Sequence, residues 1–193
     1  MPTPSPLILA SGSPYRRALL ERLGLPFEVV PAAIDEAVGE AEDPEAAAVR
    51  LAQDKAAAVA AACPEAAVIG SDQLVAFGTE IQGKPGTAEQ ARAQLARYAG
   101  REVHFLTAVS IRQGEAEAHE LQAVRVRFRA LDTEAIERYV ETDRPLDCAG
   151  AIRSEGLGAS LLESVDSSDP AALVGLPLIA VARLLRRLGY PLP

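Results

Sequence analysis

A mixed α/β fold, with a mixed sheet and flanking helices, is predicted by three features of this 193-residue chain. Short apolar runs of strand length alternate with longer segments of helical period. The alternation carries no internal repeat, a pattern that indicates a mixed α/β fold. The length suffices to bury a full core as one domain spanning 1–193, with two lobes around a cleft as one arrangement and two separate domains not required.

The first strand is read over Pro6 to Ala10 and runs into a helix over Pro14 to Leu23. Ser13 is a good N-cap and Pro14 suits the first helical position. Phe27 to Val30 reads as a second strand. The acidic connection that follows contains Asp35, Glu36, Glu40, Glu42 and Asp43 without one Lys or Arg, the pattern of a solvated, mobile loop. Asp43 and Pro44 open an alanine-rich helix ending near Cys63 and Pro64. Its apolar stripe is Val49, Ala52, Ala56, Val59 and Cys63, with Lys55 on the border and Asp54 turned away.

Ala67 to Phe77 reads as a strand, and Thr87 to Tyr98 as a helix with a capping box formed by Thr87 and Gln90. Val103 to Ile111 and Leu121 to Ala130 read as paired strands around Gly114. On the second, Arg125, Arg127 and Arg129 alternate with Val124, Val126 and Phe128, a basic stripe that reads as a solvated sheet face. A helix over Thr133 to Glu141, a glycine-containing segment CAGAIRSEGLG and a helix over Pro177 to Leu188 complete the chain.

Composition excludes several classes. With 49% hydrophobic and 24% charged residues the chain reads as an ordinary soluble protein, and no apolar run is long enough for a bilayer. The N-terminus lacks a basic start and a full apolar core, so no signal peptide is expected, and the default location is cytoplasmic. Net charge of −8 argues against a duplex-binding surface, so neither nucleic acid nor membrane is an expected partner. Cys63 and Cys148 lie outside any metal-ligand spacing and are expected to be reduced and mostly buried. With His104 and His119 the only histidines, any metal must be held by oxygen, which points to Mg²⁺ or Mn²⁺.

The chemistry is expected at the junction of the first strand and helix. Unpaired backbone N–H groups and the positive end of a helix dipole attract an anion. Arg16 shares the helical face of Leu19, Leu20 and Leu23, so its guanidinium needs a buried partner. With Arg17, Ser11 and Ser13 at the same helix end, that partner is read as a phosphate. Asp72 stands in a strand interior on the side of Val68, Gly70 and Leu74, where a carboxylate is costly to desolvate unless paired or coordinated. GTEIQGKP, Gly78 to Pro85, nearly matches a P-loop but has Pro85 where a magnesium-binding hydroxyl is required, and it does not lead directly from strand into helix. Lys84 is kept as a phosphate ligand in a tight, glycine-flanked turn. Arg16, Arg17, Lys55 and Lys84, with the carboxylates Asp72 and Glu36, form a set suited to a polyphosphate and a divalent ion.

The collinear set ASGSPYRRALLERLG, IDE (Ile34 to Glu36), QDKA around Lys55, GSDQ (Gly70 to Gln73), GKP (Gly83 to Pro85), AGAIRSEGLG and LVGLPL resembles the Maf family of nucleotide pyrophosphatases from about Leu7 to Leu188. The resemblance implies an elongated α/β protein with a mixed sheet and two lobes around a cleft, similar to the inosine triphosphate pyrophosphatase fold. It also implies a homodimer and hydrolysis between the α and β phosphates of a nucleoside triphosphate with a divalent metal. Asp72 matches the family's proton acceptor. Ser11, Arg16, Arg17, Glu36, Lys55 and Lys84 match its other polar positions, with Glu36 and Asp72 at the metal.

Three positions separate the family's branches. The branch acting on dTTP and UTP usually has Arg, Thr and Gln where this chain has Tyr15, Gln73 and Glu155, so the pattern is similar to the branch that hydrolyses 7-methyl-GTP. Methylation at N7 leaves guanine positively charged, which an aromatic face at Tyr15 attracts and a carboxylate at Glu155 complements. Gln73 is placed to orient base or sugar. That branch often carries tryptophan at the position of Tyr15, and a phenol stacks less extensively. The rival readings are a dTTP or UTP pyrophosphatase of the same family and a nucleotide-binding cell-division regulator without turnover.

Overall fold

The computed structural model describes residues 5–39 and 42–193; Glu40, part of the acidic connection, lies outside them. The fold is mixed α/β. Among the described residues, five α-helices accompany a seven-stranded mixed sheet. The elements are β1 (Leu7–Leu9), α1 (Pro14–Glu21), β2 (Glu28–Val29), α2 (Pro44–Ala60), β3 (Ala67–Phe77), β4 (Glu80–Gln82), α3 (Ala88–Tyr98), β5 (Glu102–Gln113), β6 (Ala116–Phe128), α4 (Thr133–Asp143), β7 (Leu162–Asp166) and α5 (Leu178–Arg187). The strand order is β2-β1-β3-β5-β6-β7, with β4 pairing β3. The chain forms two compact units, and three of the four boundaries between them fall inside β3, β5 and β6 while the fourth follows β7.

The first unit comprises residues 1–72, 107–122 and 169–193. Here β1 lies parallel to both β2 and β3, with Ile8 opposite Val68. β1 and the first three residues of β3 are apolar at every position because both faces are covered. Leu7, Leu9, Ala67 and Ile69 pack against Leu19 and Leu20 of α1 and against Val181, Leu184 and Leu185 of α5. On the opposite face Ile8, Ala10 and Val68 meet Val59 and Ala60 of α2. The predicted N-caps form: Ser13 Oγ accepts from Arg16 N, and Asp43 Oδ1 accepts from Glu45 N and Ala46 N. Helix α5 begins after Pro177 without a local side-chain cap. Instead Asp169, buried upstream, accepts from Ile179 N at 2.7 Å and Ala180 N at 3.2 Å through Oδ2.

The second unit comprises residues 73–106 and 123–168. The segment read as a turn around Lys84 contains a further strand. β3 turns at Gly78, in the left-handed region, into β4, with Val75 opposite Gln82. Two polar residues flanking the single apolar Ile81 disguise it, since Glu80 faces solvent and only Gln82 is buried. β7 also escaped the sequence reading. Its residues are mostly exposed, so it lacks an alternating apolar signal, yet it pairs antiparallel with β6, Val126 opposite Val165. It supplies the carboxylates for the basic stripe: Arg125 pairs with Asp166, and Arg127 with Glu163 at 3.1 Å, while Arg129 Nε donates to the Ser160 carbonyl. Val124, Val126 and Phe128 face inward. Cys63 in the first unit and Cys148 in the second are free thiols, each only half-buried.

Tyr98 of α3 centres the aromatic core of the second unit. Its ring centroid lies 5.3 Å from those of Phe77 and Phe128. Its hydroxyl is buried without a hydrogen-bond partner among the described residues, and burial pushes its pKa up to about 12. Burial favours the neutral phenol there. The folded state therefore keeps its proton where the unfolded chain, with an ordinary tyrosine pKa of about 10, releases it. Stability linked to Tyr98 is complete below about pH 10 and declines as pH rises through the folded value. Tyr98→Phe is expected to leave stability at neutral pH unchanged or raise it by up to about 1 kcal/mol. Urea unfolding between about pH 10 and 12 should then lose stability less steeply than in the parent chain.

Candidate functional site

In the first unit the turn after β1 folds as the serine-rich sequence requires. Ser11 is buried, its Oγ accepts from Ser13 N at 3.2 Å, and Ser13 in turn caps α1. Arg16, in the first turn of α1, is held on two sides. Its Nε donates to the Gly175 carbonyl at 2.8 Å and its Nη1 to Ser11 Oγ at 3.3 Å. Burial lowers the pKa of Arg16, while the charges of Asp72 and Glu36 act in the opposite direction. A guanidinium stays charged under such a shift, so these two carboxylates lie within electrostatic reach of a fixed cation. Tyr15 sits half-buried beside Arg16 in sequence.

Arg17 takes a different course from the expected convergence on the helix end. It is exposed, and its Nε pairs with Glu21 one turn along at 3.0 Å. It lines a surface hollow of about 360 Å³ with Glu21, Leu25, Pro26, Phe27 and Val29, a set that includes neither Asp72 nor Lys55. The physical reason is helical geometry. The next residue after Arg16 is rotated about 100° around the axis, and an i,i+4 glutamate is available on that face.

The centre of the candidate site is a buried ion pair. Lys55 of α2 is only 5% exposed and Asp72 of β3 only 6%, and Lys55 Nζ donates to Asp72 Oδ1 at 2.6 Å. Glu36, exposed on the acidic connection, reaches the same ammonium through Oε1 at 2.9 Å. The lysine read as lying on the border of the α2 stripe is therefore inside the core. Gly70 makes this possible. A Cβ added there would stand 2.6 Å from Ala56 N and closer still to Ala52 O, so α2 rests directly on the backbone of β3. One turn of α2 and two residues of β3 then bring Nζ to Oδ1.

Two oxygens that converge on one cation are the donor chemistry of a hard divalent ion. Among the described residues no group of three or more His, Cys, Asp or Glu forms a ligand cluster. A metal on Glu36 and Asp72 would therefore need further oxygens from elsewhere, such as phosphate.

The remaining candidates lie in the second unit. Gln73 follows Asp72 on β3 and is half-buried. Lys84 is exposed between Gly83 and Pro85. Its turn is tied down by Gln94 Nε2 donating to the Gly83 carbonyl at 3.0 Å and Gly86 N to the Leu146 carbonyl at 2.9 Å. Glu155 is exposed, and Ser154 Oγ donates to its Oε2 at 3.3 Å.

Three residues to which the sequence reading gave no role support the site. Gly70 is one. Gly175, with φ of 116°, turns its carbonyl toward Arg16, and Ser71 Oγ donates to the same oxygen at 3.1 Å. Ser71 also donates to the Ala108 carbonyl at 2.8 Å. A glycine shortly before a proline, as in LVGLPL, signals a turn, but what that turn presents is not written in the local pattern.

Residues 6–188 match the family described as Maf-like protein. The chain belongs to the Maf family. Near-full-length relatives include a 7-methyl-GTP pyrophosphatase of Xanthomonas axonopodis pv. citri (strain 306), 52% identical over 97% of this chain and 98% of that protein. A 7-methyl-GTP pyrophosphatase of Burkholderia lata is 51% identical over 98% and 92%. One of Alkalilimnicola ehrlichii is 50% identical over 97% and 95%. This Maf chain holds, in its first unit, a buried carboxylate paired with Lys55 and within electrostatic reach of Arg16.

The α2–β3 contact yields a direct test. Gly70→Ala is expected to destabilise the fold by about 1–3 kcal/mol, because the methyl group must displace helix backbone rather than a flexible side chain. The midpoint of chemical denaturation measures this; an unchanged midpoint would show that α2 can move aside without loss.

Proposed function

We propose that this Maf protein is a nucleoside triphosphate pyrophosphatase, an acid-anhydride hydrolase that converts 7-methyl-GTP to 7-methyl-GMP and diphosphate. Its service to the cell would be the removal of modified nucleotides. The observation that carries the reading is the Lys55-bridged pair of Asp72 and Glu36 within electrostatic reach of Arg16. The names of its near-full-length relatives support the same substrate.

In this mechanism Arg16, Ser11 and Ser13 hold phosphate oxygens at the start of α1, where backbone N–H groups and the helix dipole add attraction. Arg17 joins them through the mobility of an exposed side chain. Asp72 accepts a proton from the attacking water as its oxygen bonds to the α phosphorus. The bond from that phosphorus to the α,β-bridging oxygen breaks, and diphosphate leaves. Lys55 and Arg16 neutralise charge that builds on phosphate oxygens. Glu36 and Asp72 would hold a divalent ion, Mg²⁺ or Mn²⁺, which supplies further neutralisation when bound.

Tyr15 is assigned to the methylated base, where an aromatic face attracts a cationic ring. The assignments of Lys84 to phosphate, Gln73 to orientation and Glu155 to the base rest on their match to family positions in GKP, GSDQ and RSEG. The family match runs unbroken through both compact units, which supports reading 1–193 as one functional domain. A cytoplasmic location fits a nucleotide substrate. A homodimer follows from the family resemblance, and light scattering checks it.

Asp72→Asn is expected to lower the rate of diphosphate release by a factor of about 10²–10⁴ while the chain stays folded, as read by circular dichroism. A folded and fully active variant would remove Asp72 from the role of base. Turnover of 7-methyl-GTP, GTP, dTTP and UTP compared under one metal condition tests the substrate. Preference for 7-methyl-GTP is the expected result, and equal or better use of dTTP would assign the chain to the other branch.

A further inference from the structure

The ammonium of Lys55 already occupies the point on which Asp72 Oδ1 and Glu36 Oε1 converge, at 2.6 and 2.9 Å. The charges around it also balance: two carboxylates face two cations, Lys55 and Arg16. A free divalent ion approaching this pair therefore meets a filled position and no net negative charge, whereas hard cations draw their affinity from the number of anionic oxygens they gain.

A triphosphate changes both conditions. It brings anionic oxygens able to accept from the three donors of an ammonium. The four-carbon stem of lysine lets Nζ move by bond rotation, while the Lys55 backbone stays held in α2, pressed on Gly70 of β3. Once the ammonium turns to phosphate, Glu36 and Asp72 are left as adjacent anions, with phosphate oxygens available to complete a metal shell.

We propose that Lys55 is an exchangeable cation: its ammonium closes the Glu36–Asp72 pair in the free protein and passes to phosphate when nucleotide binds, making divalent-metal binding conditional on nucleotide. This rests on the reading of the site as one for a nucleoside triphosphate. It gives Lys55 two sets of partners in succession, where a fixed phosphate ligand would have one. By linkage, metal and nucleotide then strengthen each other's binding by the same factor.

The test is Mn²⁺ binding to the full chain without nucleotide, followed by the electron paramagnetic resonance signal of free Mn²⁺. Lys55→Met and Lys55→Gln are expected to bind Mn²⁺ about tenfold more tightly than the parent chain, because each frees two carboxylates from their resident cation. In the parent chain, a GTP analogue with a methylene group in place of the α,β-bridging oxygen should tighten Mn²⁺ binding by about tenfold beyond the analogue's own affinity for Mn²⁺. In the two variants that coupling should shrink severalfold. Variants that fold and bind Mn²⁺ no better than the parent chain overturn the exchange, as does coupling that is the same in all three proteins. Calorimetry of the analogue in metal-free buffer separates the underlying reading. No binding there counts against the nucleotide site itself and overturns the transfer to phosphate, while the comparison made without nucleotide still decides whether Lys55 closes the Glu36–Asp72 pair.

Discussion

The ion pair at the heart of the candidate site depends on how closely α2 approaches β3. At Gly70 the helix backbone occupies the space a side chain would take, and that spacing places the Lys55 ammonium 2.6 Å from Asp72 Oδ1 inside the fold. A buried ion pair of this kind is a poor source of net stability, because desolvation of both charges offsets most of their attraction. Losing one partner is nevertheless costly, on the order of 3–5 kcal/mol, since the other is left charged and unpaired. Retaining such a pair in an otherwise apolar layer makes sense when its charges have work to do with a ligand.

Arg16 is organised on the same logic from another direction. Its guanidinium is fixed by a carbonyl, that of Gly175, and by Ser11 Oγ, and neither neutralises it. The cation is thereby oriented but remains available electrostatically, as an anion site requires. Ser71 donates to the same Gly175 oxygen, and it precedes Asp72 on β3. Adjacent residues of one strand thus carry the carboxylate and brace the turn that holds the arginine. Rigid strand geometry, rather than a loop, sets both positions.

The second unit shows how solvent exposure hides structure from pattern reading. β4 and β7 have few inward-facing residues, so neither shows the alternation that marks a half-buried strand. β7 matters nonetheless, because Asp166 and Glu163 pair with Arg125 and Arg127 on β6. A stripe that in sequence is a run of positive charge is, in the folded chain, one side of a cross-strand ion-pair ladder. The helices and the long strands were legible because their signals are local: Ser13, Asp43 and Thr87 cap α1, α2 and α3 from positions a reader can point to.

By itself the sequence determined the fold class, the helix starts and the long strands, because caps, hydrophobic period and collinear motifs act over a few residues. It also marked Asp72 as a carboxylate in need of a partner. Only the tertiary structure decided that the partner is Lys55, that Glu36 shares it, that Arg17 turns outward to Glu21 while Arg16 turns inward to Gly175, and that Gly70 sets the distance between helix and strand. These pairings join residues on separate elements. Their geometry is fixed by how closely backbones can pack, and no local pattern of residue types records that separation.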